Sequence, residues 1–235
     1  MMNEPDILLT GDGSPTLFSS RFGETYHSNG GAITESEYVF IECGLRYYLE
    51  QQRQQGFPPA GIHILEAGFG TGLNALLTYR EQLSQGTNAP DILYETVDLF
   101  PIEAGIWQKL NYVTDKPLRD FYEELHVSVW DSPVPIAKGF TLFKRKQDLR
   151  HFLPSGKIDV VYFDAFSPNA QPELWDRKVL EVITGHMHTG SVFSTYSSKG
   201  TVKQALRELG YKVERLPGTG GKRHVIRAVI EPTAQ

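Results

Sequence analysis

Apolar and polar positions along this 235-residue chain predict strands and helices that follow each other in turn. Five apolar runs predict buried strands, at 62–66, 92–98, 140–144, 158–164 and 190–196. Helical periodicity follows them at 72–84, 102–110, 117–125, 172–184 and 199–209. Two more strands, near 211–216 and 223–230, predict a closing hairpin. This alternation is typical of an α/β fold, so we predict a doubly wound, mostly parallel sheet of seven strands, similar to a Rossmann fold.

The first 55 residues precede this alternating pattern. Runs at 7–10 and 15–18, separated by Gly-Asp-Gly-Ser, predict a small hairpin. A helix is predicted over 34–55, with Thr34 as its cap and Glu37 three residues later. We therefore predict an N-terminal extension, 1–55, and a Rossmann-like core, 56–235, within one compact unit.

Composition favours an ordinary soluble protein, with 40% hydrophobic and 22% charged residues. No secretory leader or membrane span is evident, and the single cysteine, Cys43, falls in a helical pattern, so we expect a cytoplasmic location. The net charge is −5, yet residues 199–227 hold eight basic and two acidic residues, a net charge of +6. This span predicts a local phosphate-binding face, although any single basic residue in it can be a solvated surface position.

A glycine-rich turn follows the strand at 62–66. It carries Gly68, Gly70 and Gly72 around Phe69, directly before a predicted helix, with Glu66 two residues ahead. A dinucleotide fingerprint has the spacing G-x-G-x-x-G, and an acid at Glu66 would repel a pyrophosphate. An acid there is suited to the ammonium of a methionine group, so the turn favours S-adenosylmethionine as cofactor. A plain strand-to-helix turn is the structural alternative.

Three aspartates lie at or after strand ends, where ligands bind in such sheets. Asp98 is placed to accept hydrogen bonds from ribose hydroxyls, or is an exposed strand-end residue. Asp148 is placed either to contact adenine or to cap the following turn. Asp164 is the catalytic candidate, because a carboxylate there can accept a proton from a substrate amine or orient it, with Phe166 as an apolar wall. A structural capping role is its alternative.

Several segments together resemble the tRNA wobble-uridine aminomethyl methyltransferase family. They are the turn from Glu66 to Asn74, the segment Phe163–Pro168, the leader from Phe22 to Gly31 with Glu35, and the loop from Gly218 to Arg223. The resemblance implies a class I methyltransferase fold. It further implies a leader that closes over cofactor and target amine through Tyr26, Ser28 and Glu35, and tRNA contacts at Lys222 and Arg223. The run Lys144–Lys146 departs from the family pattern and leaves the adenine role of Asp148 open.

The resemblance implies methyl transfer from S-adenosylmethionine to the aminomethyl nitrogen of 5-aminomethyl-2-thiouridine at the tRNA wobble position. The partner is then a tRNA anticodon stem-loop, and no flavin, metal or membrane is expected. Family members are often fused to a flavin-dependent oxidase, and this chain has no second nucleotide fingerprint. A separate enzyme is therefore expected to supply the aminomethyl form. The alternatives are methylation or aminopropylation of another amine, a nicotinamide-dependent reductase, and a non-catalytic RNA-binding module.

Overall fold

The computed structural model describes residues 6–219, 221 and 223–230. Its strands are β1 (Ile7–Leu9), β2 (Pro15–Ser19), β3 (Glu24–Thr25), β4 (Gly61–Ala67), β5 (Asp91–Val97), β6 (Pro133–Ala137), β7 (Phe140–Arg145), β8 (Ile158–Phe163), β9 (Met187–Thr195), β10 (Lys212–Pro217) and β11 (His224–Val229). Its α-helices are α1 (Ala32–Ser36), α2 (Tyr47–Gln54), α3 (Leu73–Ser84), α4 (Ala104–Trp107), α5 (Lys116–Val127), α6 (Arg177–Thr184) and α7 (Gly200–Glu208). A π-helical segment, Glu37–Arg46, joins α1 to α2.

The main sheet has eight strands in the order β10-β11-β9-β8-β4-β5-β7-β6. Neighbouring strands from β9 to β7 are parallel, whereas β11 and β6 run antiparallel to their neighbours. The predicted α/β class and mostly parallel sheet are thus confirmed, and the predicted count of seven strands is wrong by one. The missed strand is β6, whose Pro133 and Pro135 argue against a strand in sequence. It lies at the edge of the sheet, where a residue without an N–H is tolerated.

Helices cover both faces of the sheet and leave two apolar clusters between the layers. On one face, the segment 37–46 packs beside α3 against β8 and β9. Phe40 lies with its ring centroid 5.3 Å from that of Tyr162, and a Cβ at Gly44 would come within 3.1 Å of the Tyr162 ring. On the other face, α6 and α7 pack together. Within the described residues, no helix is both long and apolar enough to cross a membrane.

The N-terminal hairpin is confirmed as β1 and β2, and a third strand, β3, pairs with β2. The helix that follows begins at Ala32, so the prediction that Thr34 caps it is wrong. Asp12, from the hairpin, instead accepts hydrogen bonds from the N–H and hydroxyl of Thr34 at 2.9 and 2.8 Å. The helical segment joins the layer that covers the sheet, and the division of the chain at residue 56 stays a prediction.

Three parallel strands end level with one another at the edge that carries the site. Ala67 of β4 lies in register with Val97 of β5 and with Phe163 of β8. The N–H of Gly68 donates to the carbonyl of Val97, and that of Asp164 to the carbonyl of Ala67, at 2.9 and 3.0 Å. The residues that follow β4, β5 and β8 therefore meet where strand order reverses.

Candidate functional site

A cavity of about 810 Å³ lies over this edge of the sheet. Most of the site residues predicted from sequence line it: Tyr26, Ser28, Glu35, Gly68, Phe69, Gly70, Asp98, Asp148, Asp164 and Phe166. Glu66, Gly72 and Arg223 do not line it. Lys222 lies outside the described residues. The structure thus brings ten of the predicted residues to one cavity.

The glycine turn needs glycine at each of its alternate positions. Gly68, Gly70 and Gly72 have φ angles of 94°, 50° and 73°, in the left-handed region that favours glycine. A Cβ at Gly68 would lie 3.0 Å from the carbonyl oxygen of Asp164, and one at Gly70 would lie 3.1 Å from the Tyr26 ring. Gly72 caps α3 and lies against Phe69 rather than in the cavity. The turn therefore keeps bare backbone close to both the leader and the catalytic candidate.

Asp98 ties the glycine turn to the loop after β5. Its carboxylate accepts hydrogen bonds from the N–H of Gly70 at 2.9 Å and of Phe100 at 2.8 Å. Burial raises the pKa of this carboxyl, and the backbone N–H donors counter that effect. Because Asp98 also lines the cavity, the geometry is compatible with the predicted contact to ribose hydroxyls.

Glu66 lies behind the cavity wall, with none of its surface exposed. Its two oxygens accept hydrogen bonds from the Asn74 amide at 3.0 Å and from the Thr96 hydroxyl at 2.9 Å. Burial, and then the nearby Asp164 carboxylate, raise the pKa of Glu66 well above its usual value. Asn74 lines the cavity whereas Glu66 does not, and the predicted direct contact of Glu66 with a methionine ammonium stays a prediction.

Hydrogen bonds position both Asp164 and the loop that follows it. Its carboxylate accepts a hydrogen bond of 2.8 Å from the same Asn74 amide that donates to Glu66. The loop that follows is fixed by side chains from distant elements. The Tyr196 hydroxyl donates to the carbonyl of Ala165 at 2.7 Å, and the Trp175 indole donates to that of Phe166 at 2.8 Å. This loop is therefore rigidly positioned beside the glycine turn.

The leader forms one wall of the cavity, as the sequence predicts. Phe22 stacks on Phe166 with ring centroids 4.3 Å apart, and Tyr26 meets the same ring edge-on at 5.0 Å. The buried Glu35 carboxylate accepts from the N–H of Ser28 at 2.9 Å, which holds the leader against α1. Burial raises the pKa of the Tyr26 hydroxyl, and the negative charge of Asp98 raises it further. The leader thus joins the cofactor turn to the loop of Asp164.

Asp148 does cap a turn, as one of its two predicted roles requires. Its carboxylate accepts from the N–H of Arg150 at 2.9 Å and pairs with the Arg150 guanidinium at 2.6 Å. Hydrogen bonding to Arg150 lowers the pKa of Asp148. Since Asp148 also lines the cavity, its predicted contact with adenine stays a prediction.

Two residues of the site were missed in the sequence. Asn74 stands in the first turn of α3, within the motif that carries the family resemblance, and only that motif marks it out. Glu24 of β3 accepts from the Ser167 hydroxyl at 2.5 Å and from the Ser167 N–H at 3.2 Å. Glu24 lies within the leader that carries the resemblance, but Ser167 follows 143 residues later in the chain, so no local pattern signals their contact.

The basic span at 199–227 is divided between structural and surface positions. Arg227 pairs with Glu214 at 2.7 Å and lies over the Tyr47 ring at 3.4 Å, which is a structural role. Arg223 is exposed and lines a second, smaller groove together with Lys199. The groove adjoins the main cavity, because Ser167 and Tyr196 line both.

Known proteins share this architecture. A family model described as S-adenosyl-L-methionine-dependent methyltransferase matches residues 139–231. The crystal structure of MNMC2 from Aquifex aeolicus superposes with a TM-score of 0.79 at 27% identity, over 100% of this chain and 74% of that chain. The chain is also similar in fold to a putative class I S-adenosylmethionine-dependent methyltransferase from Listeria monocytogenes, with a TM-score of 0.50 at 15% identity.

Curated relatives align along nearly the whole chain. The tRNA 5-methylaminomethyl-2-thiouridine biosynthesis bifunctional protein MnmC of Marinobacter nauticus is 31% identical over 99% of this chain and 37% of its own length. The corresponding protein of Pseudoalteromonas atlantica is 29% identical over 96% of this chain and 33% of its own length. This chain therefore spans about a third of the length of these relatives. It belongs to the S-adenosylmethionine-dependent methyltransferase family that forms the methyltransferase part of the MnmC proteins.

Proposed function

We propose that this methyltransferase acts on the aminomethyl nitrogen of 5-aminomethyl-2-thiouridine at the tRNA wobble position. The product is 5-methylaminomethyl-2-thiouridine. The observation that carries the proposal is the placement of Asp164, which lines the same cavity as the glycine turn and is fixed by Asn74. A carboxylate in that place is suited to an amine acceptor.

The cavity fits S-adenosylmethionine. A volume of about 810 Å³ is within the range of ligand sites and leaves space for a nucleobase beside the cofactor. Gly68 and Gly70 would lie along the methionine and ribose, and Asp98 would accept from the ribose hydroxyls. When bound, S-adenosylmethionine supplies a methyl group activated by its sulfonium charge. Glu66 supports this site through its hydrogen bond with Asn74, and its direct contact with the methionine group stays a prediction.

Asp164 has two tasks in this proposal. A primary amine is protonated at neutral pH, and its lone pair must be free for the reaction. The Asp164 carboxylate accepts a hydrogen bond from the amine and holds it in line with the reacting carbon. It also accepts the proton that the nitrogen loses. The Asn74 amide keeps the carboxylate in one orientation for both tasks.

Aromatic side chains complete the acceptor side of the cavity. Phe166 and Tyr26 present apolar ring surface to a planar base, and Phe22 stacks on Phe166 and extends that surface. A wobble base must leave its stack to reach Asp164, and ring stacking offsets part of that cost. Ser28 and Glu35 hold the leader that carries Tyr26 and so act on the substrate indirectly.

The tRNA anticodon stem-loop is the proposed partner, and Arg223 and Lys222 are its proposed contacts. Phosphate contacts of this type make binding fall steeply with salt. A separate enzyme supplies the aminomethyl group, and a cytoplasmic location, where tRNA is available, is part of the same proposal. The expectation that neither flavin nor metal takes part stays a prediction.

Two experiments test the function. The purified protein is incubated with S-adenosylmethionine and an anticodon stem-loop RNA that carries 5-aminomethyl-2-thiouridine, and the nucleosides are analysed by mass spectrometry. A gain of one methyl group is expected, whereas the same RNA with unmodified uridine stays unchanged. In cells that lack the gene, tRNA should accumulate the aminomethyl nucleoside. Methylation of neither RNA, together with an unchanged nucleoside profile in those cells, would refute the proposal.

A further inference from the structure

The second groove adjoins the catalytic cavity and has a volume of about 370 Å³. The two share a wall made by Ser167 and Tyr196. The remaining lining residues are Pro168, Asn169, Ser197, Ser198, Lys199, Arg223 and His224. A ligand that extends from the cavity past Ser167 would therefore enter this groove directly.

The position of the groove in the sheet places it on the acceptor side of Asp164. The proposed cofactor residues follow β4 and β5, and Asp164 follows β8. The groove lies between the far end of the loop after β8, at residues 167–169, the residues that follow β9 and those at the start of β11. Since the strands lie in the order β11-β9-β8-β4-β5, Asp164 stands between the cofactor turn and the groove.

The lining of the groove is suited to an anion. Lys199 and Arg223 bring two positive charges, the two adjacent serines bring hydroxyl groups, and no carboxylate is among the lining residues. The ammonium of Lys199 donates to the neutral side-chain oxygen of Asn169 at 2.9 Å and to the carbonyl of Pro168 at 3.4 Å, and neither acceptor carries a negative charge. Arginine and lysine beside hydroxyl groups are the usual donors to a phosphodiester.

We propose that this groove binds one of the two phosphodiesters that flank the target nucleotide, through Lys199 and Arg223. The inference rests on the proposed function, because a base held at Asp164 fixes where its own backbone must run. The groove then sets the depth to which the nucleotide enters the cavity. Positive charge concentrated at this groove is also compatible with RNA binding by a chain whose net charge is −5.

The test measures binding without turnover. Fluorescence anisotropy with labelled anticodon stem-loop RNA compares the wild type with Lys199→Ala and Arg223→Ala. Each variant should bind roughly tenfold more weakly, as loss of a charged hydrogen bond implies, and the salt slope should fall by about one. Arg207→Ala is the matched control, since Arg207 is exposed and lies near the far end of α7. It should bind as the wild type does.

A second RNA identifies the phosphodiester. A neutral methylphosphonate replaces either the 5′ or the 3′ phosphodiester of the target nucleotide. At one of the two positions the methylphosphonate should weaken wild-type binding roughly tenfold or more and leave the double variant Lys199→Ala/Arg223→Ala unaffected, because the two changes remove the same contacts. Additive losses at both positions, or variants that bind like the wild type, would overturn the inference. Failure of the function itself is distinguishable, because it appears as absent methylation by the wild type.

Discussion

Asn74 donates a hydrogen bond of 2.8 Å to Asp164, a residue 90 positions later in the chain. The same amide nitrogen donates to the buried Glu66 at 3.0 Å. Because Glu66 and Asp164 share one amide donor, neither carboxyl group can rotate without breaking a hydrogen bond. They also lie close enough that the charge of Asp164 raises the pKa of Glu66. The orientation of the Asp164 carboxylate thus depends on the neutral Asn74 side chain, which takes no part in the proposed proton transfer.

Asp164→Asn should abolish methyl transfer while S-adenosylmethionine still binds. The amide keeps the shape of the carboxyl group but can neither accept the proton of the amine nor carry negative charge. We expect a loss of turnover of roughly 100-fold or more, with the dissociation constant of the cofactor, measured by calorimetry, changed less than about threefold. Turnover near the wild-type rate would end the catalytic assignment of Asp164.

Asn74→Ala should lower the turnover number rather than cofactor affinity. Without the amide, the Asp164 carboxylate loses its fixed orientation, and small misplacements of a catalytic group cost between roughly 10- and 100-fold. Single-turnover kinetics at saturating cofactor measure this directly. Asn88→Ala, the same change at an exposed position, is the control. An Asn74→Ala enzyme with unchanged turnover would show that Asp164 needs no such support.

Glu66→Gln separates an indirect role for Glu66 from a direct one. Glutamine keeps an acceptor for the Asn74 amide, so an indirect role predicts little change in cofactor affinity, less than about threefold. Direct binding of the methionine ammonium by Glu66 would require the negative charge, and its removal would then weaken binding by roughly tenfold or more. Calorimetry with S-adenosylmethionine decides between the two, and the structure favours the small change.

Ser167→Ala should loosen the leader from the catalytic loop. The Ser167 hydroxyl and N–H both donate to the Glu24 carboxylate, and the side-chain bond is lost in the variant. A hydrogen bond to a charged group contributes about 1.5–3 kcal/mol, so we expect faster amide hydrogen exchange across residues 21–28. Ser198→Ala, a neighbouring change that leaves this contact intact, is the control. Equal exchange in both variants would contradict a connection through Ser167.

Lys144 gives a prediction about pH. Its ammonium is buried and donates to the carbonyls of Leu125 and His126 at 2.8 and 3.0 Å. Burial lowers its pKa from 10.5 to about 8. Between these values the unfolded chain binds more protons than the folded protein, so rising pH stabilises the fold through this group.

The measurement compares the wild type with Lys144→Met. Urea unfolding at about pH 7 and about pH 9.5 should show the free energy of unfolding of the wild type rise relative to the variant by roughly 1–2 kcal/mol. Lys146→Met, a change at an exposed position of the same segment, should show no such difference. A wild-type advantage that falls with pH would mean that Lys144 is charged and well compensated in the folded protein.

The sequence pattern is sufficient for the parallel sheet and for the backbone of the cofactor site. Local backbone geometry determines which residues are tolerated at a turn or a strand end, so it can be predicted from sequence. This applies to the spacing of Gly68, Gly70 and Gly72 and to the position of Asp98. Asp164 follows from the same rule, since it ends an apolar run. The family resemblance adds the leader, whose Tyr26 and Glu35 line the cavity.

Contacts between segments that are distant in sequence produce no local pattern from which they could be predicted. Glu24 and Asn74 lie in segments that carry the family resemblance, but they meet Ser167 and Asp164 only after the fold has formed. The same reason explains the wrong cap at Thr34, because the acceptor for its N–H comes from Asp12. The burial of Glu66 has the same origin, because its partners Asn74 and Thr96 belong to other elements.

The contact between Glu24 and Ser167 has a consequence for the synthesis of the protein. The leader emerges from the ribosome well before its partner loop, which follows 143 residues later, and before Tyr196, which fixes that loop. The aromatic leader therefore lacks this partner while the intervening residues are translated. The cofactor cannot assist folding at that stage, since its cavity is complete only once Tyr196 has been made.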